Sequence, residues 1–147
     1  METKYYLAID IGASSGRHIL GSIENGKLVL EEVHRFKNGA QNVNGKLVWD
    51  DKSLFASLIE GLKKCKELGK IPYSIGIDTW GVDYALLDSN DNLINEVHSY
   101  RDDRTQSVIN EVHEIISEGD AYNRTGIQKQ VFNTIYQLYC DKKSGKM

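Results

Sequence analysis

The sequence predicts a mixed α/β fold, and three observations support this. Segments with alternating apolar residues follow one another over residues 5–36, with short turns between them. An amphipathic helical pattern then covers residues 51–68. Another strand-like segment, residues 73–78, follows that helix, and a strand, a helix and a further strand together indicate α/β architecture.

The sequence pattern of the first third of the chain predicts three strands and a hairpin. The strands are expected over residues 5–11, 17–23 and 27–36, with the turn "ENG" between the second and the third. A second turn, "VNG", joins residues 41–43 to residues 46–49. These two short segments are expected to pair as a hairpin before the first helix.

The helix over residues 51–68 has recognisable ends. Asp50 or Asp51 can cap its first turn, and Gly69 can end it. Its apolar residues recur at helical spacing, with lysines and glutamates between them: Leu54, Phe55, Leu58, Ile59, Leu62, Cys65 and Leu68. We therefore expect one side of this helix to pack on the sheet.

The sequence pattern of the second half of the chain predicts two strands and two helices. The strands are expected over residues 73–78 and 83–88, the second closed by the turn residues "DSNDN". Helices are expected over about residues 104–117 and over residues 133–143. Asp103 or Thr105 can cap the first of these helices. No linker or repeat interrupts the sequence, so residues 1–147 are expected to form one continuous domain.

Composition narrows the class of partner. The chain has 147 residues, 40% of them hydrophobic, and a formal net charge of −3, so it creates no general field that attracts nucleic acid or anionic lipid. No signal peptide or membrane span is recognisable, and a cytoplasmic protein is expected. Cys65 and Cys140 lack metal-ligand spacing and are expected to be reduced thiols. The four histidines are scattered and form no metal motif.

The stretch "AIDIGASSGR", residues 8–17, has two interpretations. One is a tight turn that requires a positive φ at Gly12 or Gly16. The other is a phosphate loop, in which small residues let backbone N–H groups approach a phosphate and Ser14 and Ser15 add hydroxyl donors. The spacing matches neither a P-loop nor a dinucleotide fingerprint, because the turn leads into a strand rather than a helix.

Four motifs in order resemble the FGGY carbohydrate kinases over essentially the whole chain. They are "DIGASSGR", the central "GIDTWGVDYALLD", "YRDDRT" at residues 100–105 and "TGIQ" at residues 125–128. Ala13, Tyr100 and the segment "TWGVD" depart from the general family pattern and resemble its rhamnulose branch. The resemblance therefore implies L-rhamnulose as the sugar substrate, with L-fuculose as the alternative.

The resemblance implies a ribonuclease H-like, actin-like ATPase domain, with a mixed β-sheet flanked by helices, the first of two domains that close around ATP and a sugar. Its phosphate-binding residues would be Ala13, Ser14, Ser15, Gly16 and Arg17. Asp10 would hold Mg²⁺ through water, because that ion dehydrates reluctantly. The catalytic base is expected beyond Met147, in the C-terminal domain of the same enzyme, so the chain alone is expected to be inactive.

The resemblance also implies a sugar site built by Gly81 with Trp80 and Asp83 beside it, and Arg101 as a further contact. A structural interpretation stays open for each: Trp80 as core, Gly81 as a turn glycine, Asp83 as a loop cap. The segment "RDDR", residues 101–104, can equally be an exposed charge network with a helix cap.

Three more polar residues, Gln128, Gln130 and Asn133, can line the sugar side or simply face solvent and cap a helix. Two other classes of function also stay open. An actin-like protein can use ATP as a conformational switch, and an interaction module can carry a glycine-rich turn that binds nothing. The segments "WGVD" and "YRDDR" favour a kinase, because a switch protein does not need a sugar cleft.

Overall fold

A computed structural model describes residues 3–147 of the chain. Its residues group into two compact units, one made of residues 3–40 and 50–81 and the other of residues 41–49 and 82–147. The chain passes from one unit to the other three times along its length. The assignment of the whole chain to one kinase domain stays a prediction.

The elements in chain order are strands β1 Tyr5–Ile11, β2 Ser15–Glu24, β3 Lys27–Lys37, β4 Ala40–Val43 and β5 Lys46–Trp49, helix α1 Asp51–Glu67, strand β6 Pro72–Thr79, a 3₁₀ turn Asp103–Thr105, and helices α2 Ile109–Ile115, α3 Glu118–Thr125 and α4 Thr134–Lys143. The first three strands, the hairpin and α1 confirm the sequence-based predictions to within about two residues.

The first unit is a four-stranded mixed sheet with one helix on it. Its strand order is β3-β2-β1-β6, with β1 antiparallel to β2 and parallel to β6. Alternate residues of β1, namely Leu7, Ile9 and Ile11, point into a core that also holds Phe36 and Cys65. The β2–β3 turn has the predicted hairpin geometry: Asn25 and Gly26 are both in the left-handed region, with φ of 49° and 77°.

Helix α1 covers that core and has the expected ends. The Asp50 side chain accepts a hydrogen bond from the Ser53 N–H at 2.9 Å, and Gly69 adopts a φ of 67° just after the last turn. Leu54, Leu58 and Leu62 pack against the buried residues of the sheet.

The closest approach of α1 to the sheet is at Gly61, which lies on the fully buried ring of His18. The Nε2 atom of His18 lies 3.2 Å from the Leu58 carbonyl oxygen, to which it donates a hydrogen bond. Burial lowers the pKa of His18, because the charged ring would lose its hydration. His18 is therefore a neutral core residue.

The second unit consists of the β4–β5 hairpin, a long loop and three helices. Its core contains Val108, Val112 and Tyr136. The hairpin is joined to the loop by hydrogen bonds from the Trp49 N–H to the Val97 carbonyl at 2.8 Å and from the Ser99 N–H to the Leu47 carbonyl at 2.9 Å.

The predicted strand over residues 83–88 is wrong. The structure shows only a single bridge there, between Leu87 and Leu93. The Asp88 carboxylate instead accepts hydrogen bonds from the Asn90 and Asn92 N–H groups and closes a turn.

The helix predicted over residues 104–117 is shorter than expected and divided. Asp102, rather than Asp103 or Thr105, caps the 3₁₀ turn by accepting a hydrogen bond from the Arg104 N–H at 3.0 Å. Helix α2 starts only at Ile109 and has no side-chain cap. The apolar residues at helical spacing all lie after the 3₁₀ turn, so they mark α2 and not the residues before it: Val108, Val112, Ile115 and Ile116.

Helix α3 was not predicted. It has no buried residue, so no apolar periodicity marks it in the sequence. Both ends of α3 have typical helix caps. The Ser117 hydroxyl accepts a hydrogen bond from the Asp120 N–H at 3.1 Å, and Gly126 has a φ of 68° just after the last turn.

Both cysteines are free thiols, Cys65 buried and Cys140 partly buried. Within residues 3–147, no helix has the length and apolar character needed to cross a bilayer.

Candidate functional site

The glycine-hydroxyl loop joins β1 to β2 and is held from both sides. The Gly12 N–H donates to the Ser15 carbonyl at 2.9 Å. Asn38, just after β3, donates from its backbone N–H to the Ser14 carbonyl at 3.1 Å and from its side chain to the Gly12 carbonyl at 2.8 Å. Asn38 was not predicted from the sequence, because it is distant from the loop in the chain. The loop is therefore a fixed structure rather than a flexible connection.

Close packing, and not a positive φ, explains the glycines of this loop. Neither Gly12 nor Gly16 is among the residues with positive φ, so the turn interpretation is wrong in that respect. A Cβ on Gly12 would lie 2.9 Å from the Ser15 carbonyl oxygen, and a Cβ on Gly16 would overlap the Phe36 ring. Each glycine thus allows another group to approach the backbone.

The loop offers donors to a ligand. Among the residues that the structure describes, none accepts a hydrogen bond from the N–H groups of Ala13 and Ser14. The hydroxyls of Ser14 and Ser15 have no partner in that part of the chain either. Adjacent N–H groups in a turn form a concavity suited to an anion. This geometry fits the phosphate interpretation.

Asp10 and Arg17 face each other across β1 and β2. Both Nε and Nη2 of Arg17 lie 2.9 Å from Oδ2 of Asp10, and both side chains are nearly half exposed. An ion pair this exposed contributes at most about 1 kcal/mol to stability. A phosphate can therefore compete for the guanidinium at little cost.

Asp78 is a second carboxylate beside this loop. It lies opposite Asp10 in the parallel register of β6 with β1, near the carboxyl ends of both strands. Asp78 lies in the motif "GIDTWGVDYALLD" but was not predicted as a site residue, because it comes beside Asp10 only through strand pairing. No cluster of three or more possible metal ligands occurs within residues 3–147. One or two carboxylates still fit Mg²⁺, which usually keeps several waters and takes other ligands from substrate phosphates.

Trp80 and Gly81 end the first unit. Trp80 is partly buried and packs against the core of the sheet, which agrees with the structural interpretation of this residue. Gly81 is exposed, and a Cβ built on it would meet no atom within 4 Å. Nothing in the fold requires glycine here, so the space beside its backbone is open to a ligand.

Val82 is strained. Its φ is 67°, in the left-handed region that a β-branched residue rarely adopts. Its carbonyl oxygen accepts hydrogen bonds from the Thr134 hydroxyl at 2.7 Å and from the Gln137 amide at 3.3 Å. Such strain costs of order 1–3 kcal/mol and is concentrated at functional sites. Two residues of α4 thus fix the backbone immediately after Gly81.

Asp83 is fixed rather than free to cap the loop. One carboxylate oxygen accepts a hydrogen bond from Trp49 Nε1 at 2.7 Å, and the other accepts one from the Gln137 amide at 3.3 Å. The buried Trp49 also contacts the Tyr100 ring, with centroids 6.4 Å apart, and Tyr100 meets Phe132 edge to face at 5.8 Å. These three rings form an aromatic wall that the sequence analysis did not predict.

The motif "YRDDRT" divides into an exposed and a buried part. Arg101 is exposed, with its guanidinium 5.5 Å from the Tyr100 ring centroid and Nε 3.2 Å from the Tyr100 hydroxyl. Asp102 is buried and also accepts a hydrogen bond from the Leu47 N–H at 2.7 Å. The interpretation of "RDDR" as an entirely exposed network is therefore wrong.

Arg104 belongs to the buried part of the motif. Its guanidinium donates to Asp141 at 2.6 Å and to the Gln137 side chain at 3.1 Å, and Asp141 also accepts a hydrogen bond from the Tyr84 hydroxyl at 2.5 Å. Burial and the neighbouring Asp141 raise the pKa of Tyr84, so this hydroxyl remains a donor. The network fixes α4, the helix that carries Gln137.

A mainly apolar cavity of about 540 Å³ lies beside α3 and α4. Val82, Gln128 and Asn133 line it, whereas Gln130 does not. The Asn133 side chain donates to the Gln128 carbonyl at 2.9 Å, so it fixes its own loop instead of capping α4.

Comparisons with known proteins agree with this geometry. The N-terminal domain of the FGGY family of carbohydrate kinases matches residues 5–140. A rhamnulokinase of Halalkalibacterium halodurans is 52% identical over 139 residues, which are 95% of this chain and 30% of that protein. A rhamnulokinase of Bacillus subtilis is 47% identical and covers 91% of this chain and 28% of that protein. The chain thus spans about 30% of the length of these relatives.

Solved structures show the same fold. A gluconate kinase from Lactobacillus acidophilus superposes with a TM-score of 0.82 at 20% identity, over 98% of this chain and 29% of that one. A Plasmodium falciparum glycerol kinase crystallised with ADP gives 0.76 at 16% identity, over 95% of this chain and 29% of that one. These matches confirm the predicted ribonuclease H-like, actin-like fold. The chain is a member of the FGGY family of carbohydrate kinases and corresponds to its N-terminal domain.

Proposed function

We propose that this chain is the N-terminal part of a rhamnulokinase, which transfers the γ-phosphoryl group of ATP to the 1-hydroxyl of L-rhamnulose in rhamnose breakdown. The observation that carries the proposal is the fixed β1–β2 loop, whose Ala13 and Ser14 N–H groups have no acceptor among residues 3–147. The rhamnulokinases that are 47–52% identical to this chain support the choice of sugar. Because the reaction uses ATP, we place the enzyme in the cytoplasm.

The phosphate end of the reaction is assigned to the β1–β2 loop. Ala13, Ser14 and Ser15 donate N–H and hydroxyl hydrogen bonds to phosphate oxygens, and Gly16 keeps β2 close to β3 by accommodating the Phe36 ring. Arg17 exchanges its exposed pair with Asp10 for a phosphate oxygen. These donors position the nucleotide and neutralise part of its charge, which is most of what phosphoryl transfer requires from a protein.

Asp10 is the proposed residue for Mg²⁺, with Asp78 beside it. When bound with ATP, Mg²⁺ neutralises phosphate charge in the transition state. Only one oxygen of Asp10 is engaged by Arg17, so its other oxygen can accept a hydrogen bond from a water of the hydrated ion. The carboxylate thus orients the ion without displacing much of its hydration.

The sugar end is assigned to Asp83, Arg101 and the aromatic wall of the second unit. Small polar ligands are held by an apolar surface with a few placed polar groups. Tyr100 and Phe132 supply the surface and Arg101 an exposed donor. Gly81, the last residue of the first unit, stays a predicted sugar contact because its backbone is accessible. Both oxygens of Asp83 already accept protein hydrogen bonds, so we assign Asp83 to positioning of the site.

The base that takes the sugar proton is placed in the remaining part of the longer enzyme. Asp10 pairs with Arg17, and Asp83 accepts from Trp49 and Gln137. Asp10 is thus engaged beside the phosphate loop and both oxygens of Asp83 are already occupied, so neither carboxylate is assigned as that base. The chain alone is therefore expected to release no ADP in response to sugar.

Binding to the loop can be tested without turnover. We expect tripolyphosphate to shift the backbone amide NMR signals of residues 12–17 and to leave the β2–β3 turn at Asn25 and Gly26 unchanged. The Asn38→Ala variant removes the hydrogen bond that fixes the Gly12 carbonyl and should weaken binding about fivefold, the equivalent of one hydrogen bond. The matched variant Asn42→Ala, which loses a hydrogen bond in the β4–β5 hairpin, should bind like the original chain.

Signals of residues 12–17 that do not respond at saturating tripolyphosphate would contradict the phosphate role. Equal weakening by Asn38→Ala and Asn42→Ala would contradict the specific role of the fixed loop.

A further inference from the structure

Gln137 is a polar side chain buried inside the second unit. It lies on α4 and is only 2% exposed. A buried amide is costly unless its donors and its acceptor all find partners. An apolar side chain of the same length would fill this space without that requirement. Burial alone therefore does not explain a glutamine at this position.

The amide of Gln137 has partners on both of its sides. Its Nε2 atom lies 2.9 Å from the Phe132 carbonyl oxygen and 3.3 Å from both the Val82 carbonyl oxygen and an Asp83 carboxylate oxygen. Its Oε1 atom accepts a hydrogen bond from the Arg104 guanidinium at 3.1 Å. Reversing the amide would place its oxygen against three acceptors, so only one orientation of the group fits.

The partners of Gln137 come from the three segments that supply the second-unit part of the proposed sugar site. Asp83 and Phe132 belong to that site themselves. Arg104 lies in the motif "YRDDRT", whose first two residues supply a ring and an exposed donor to the site. One side chain thus joins three segments that are distant from one another in the sequence.

We infer that Gln137 is a positioning residue of the sugar site, which fixes the segment of Asp83, the motif "YRDDRT" and the aromatic wall relative to one another. This inference rests on the proposed kinase function. Because the polar atoms of Gln137 are bonded to protein groups, it acts on the sugar through them. Groups that bind a ligand must be held to within about 0.5 Å of their productive positions, so loosening these segments weakens sugar binding.

The phosphate loop does not take part in this network. Residues 12–16 belong to the first unit, and the hydrogen bonds that fix the loop come from Asn38 and from within the loop itself. A change at Gln137 is therefore expected to affect the use of the sugar and not the use of ATP.

A chimera provides the kinetic test. This chain replaces the matching 139 residues of the Halalkalibacterium halodurans rhamnulokinase, and the KM values for L-rhamnulose and for ATP are measured by ADP release. Gln137→Met keeps the length of the side chain and removes the amide. We expect the KM for L-rhamnulose to rise about tenfold and the KM for ATP to stay within about twofold. A merely structural role would lower the folded fraction, which reduces kcat and leaves both KM values unchanged.

Tyr136→Phe is the matched control on the same helix. Tyr136 is also 2% exposed, and its hydroxyl lies 2.7 Å from His113 Nε2, in the core that α4 shares with α2. The variant removes one buried hydrogen bond away from the three segments. It should therefore leave both KM values unchanged.

Thr134→Val is a second variant that perturbs the site more mildly. It removes the hydroxyl that donates to the Val82 carbonyl at 2.7 Å and keeps the shape of the side chain. Gln137 still bonds the same carbonyl. We therefore expect a smaller rise in the KM for L-rhamnulose, about threefold, with the KM for ATP unchanged.

The indole N–H signal of Trp49 reports on the same arrangement in the chain itself. Trp49 Nε1 donates to the Asp83 carboxylate, which also accepts from Gln137. The chain has two tryptophans, so Trp80→Phe identifies the Trp49 signal. In NMR spectra, Gln137→Met should shift this signal, whereas Tyr136→Phe should leave it in place.

The outcomes separate this inference from the proposed function. An active chimera in which Gln137→Met leaves the KM for L-rhamnulose unchanged would overturn this inference alone. So would equal rises in that KM for Gln137→Met and Tyr136→Phe, or an equal rise in the KM for ATP. If Gln137→Met does not fold, an unchanged KM for L-rhamnulose in Thr134→Val would overturn the inference. A folded chimera with Gln137 in place that no sugar stimulates would overturn the proposed function and this inference with it.

Discussion

Asp141→Ala is expected to destabilise the second unit by about 3–5 kcal/mol, because it leaves the buried Arg104 guanidinium without its counter-charge. The side chains of Arg104 and Asp141 are 17% and 8% exposed, so water can replace the lost carboxylate only in part. The Tyr84 hydroxyl loses its acceptor in the same variant. Urea unfolding followed by Trp49 fluorescence in a Trp80→Phe background measures the effect in the unit that holds the network.

The matched control is Glu111→Ala. Glu111 pairs with Lys143 at 2.6 Å, but these two side chains are 37% and 56% exposed. An exposed pair contributes at most about 1 kcal/mol, so this variant should change the urea midpoint little. Equal losses of unfolding free energy in Asp141→Ala and Glu111→Ala would contradict the prediction that the Arg104–Asp141 network stabilises the second unit more than an exposed ion pair does.

Gly61→Ala is the second change with a large expected effect, even though alanine is the better helix former. A Cβ at residue 61 would overlap the ring of His18, which is fully buried. The rings of His34 and Phe36 lie 5.4 and 6.1 Å from that ring, so it has no free space to enter. We expect a loss of about 1–3 kcal/mol in the free energy of unfolding of the first unit.

Gly119→Ala is the control for helix propensity. Gly119 lies in α3, where an added Cβ meets no atom within 4 Å, so alanine should stabilise by up to about 1 kcal/mol. The double variant His18→Ala with Gly61→Ala should lose less free energy of unfolding than the sum of the losses in the two single variants. The reason is that His18→Ala removes the ring that the Cβ added by Gly61→Ala would overlap. The packing of Gly61 on His18 would be contradicted if Gly61→Ala and Gly119→Ala changed the free energy of unfolding in the same direction.

Local signals predicted the first unit well. Alternating apolar residues and the "ENG" turn predict β1 to β3, and the Asp50 cap and Gly69 predict the ends of α1. These predictions succeed because each feature depends only on residues that are close in the sequence. The error at residues 83–88 has the opposite origin. Their side chains bind distant partners, with Asp83 bonded to Trp49 and Tyr84 to Asp141. Within residues 3–147, no strand lies beside them to form a ladder.

The candidate site was predictable where one short stretch builds it. The loop from Asp10 to Arg17 is such a stretch, and the structure places its residues together. Asn38, Asp78 and Phe132 could not be found this way, because only strand pairing and tertiary packing bring them to the loop or to the aromatic wall. The φ of Val82 likewise depends on Thr134 and Gln137, which are more than fifty residues away.

The central claim is that this chain supplies the phosphate loop and sugar-binding residues of a rhamnulokinase. A chimera tests it most directly: this chain replaces the matching 139 residues of the Halalkalibacterium halodurans enzyme. ADP release is then measured with L-rhamnulose, L-fuculose, D-xylulose and glycerol, using the original enzyme and the isolated chain as controls. We expect a clear preference for L-rhamnulose, reduced about a hundredfold or more by Asp10→Ala, and no activity from the isolated chain. A folded chimera that no sugar stimulates, or one that Asp10→Ala leaves fully active, would contradict the account.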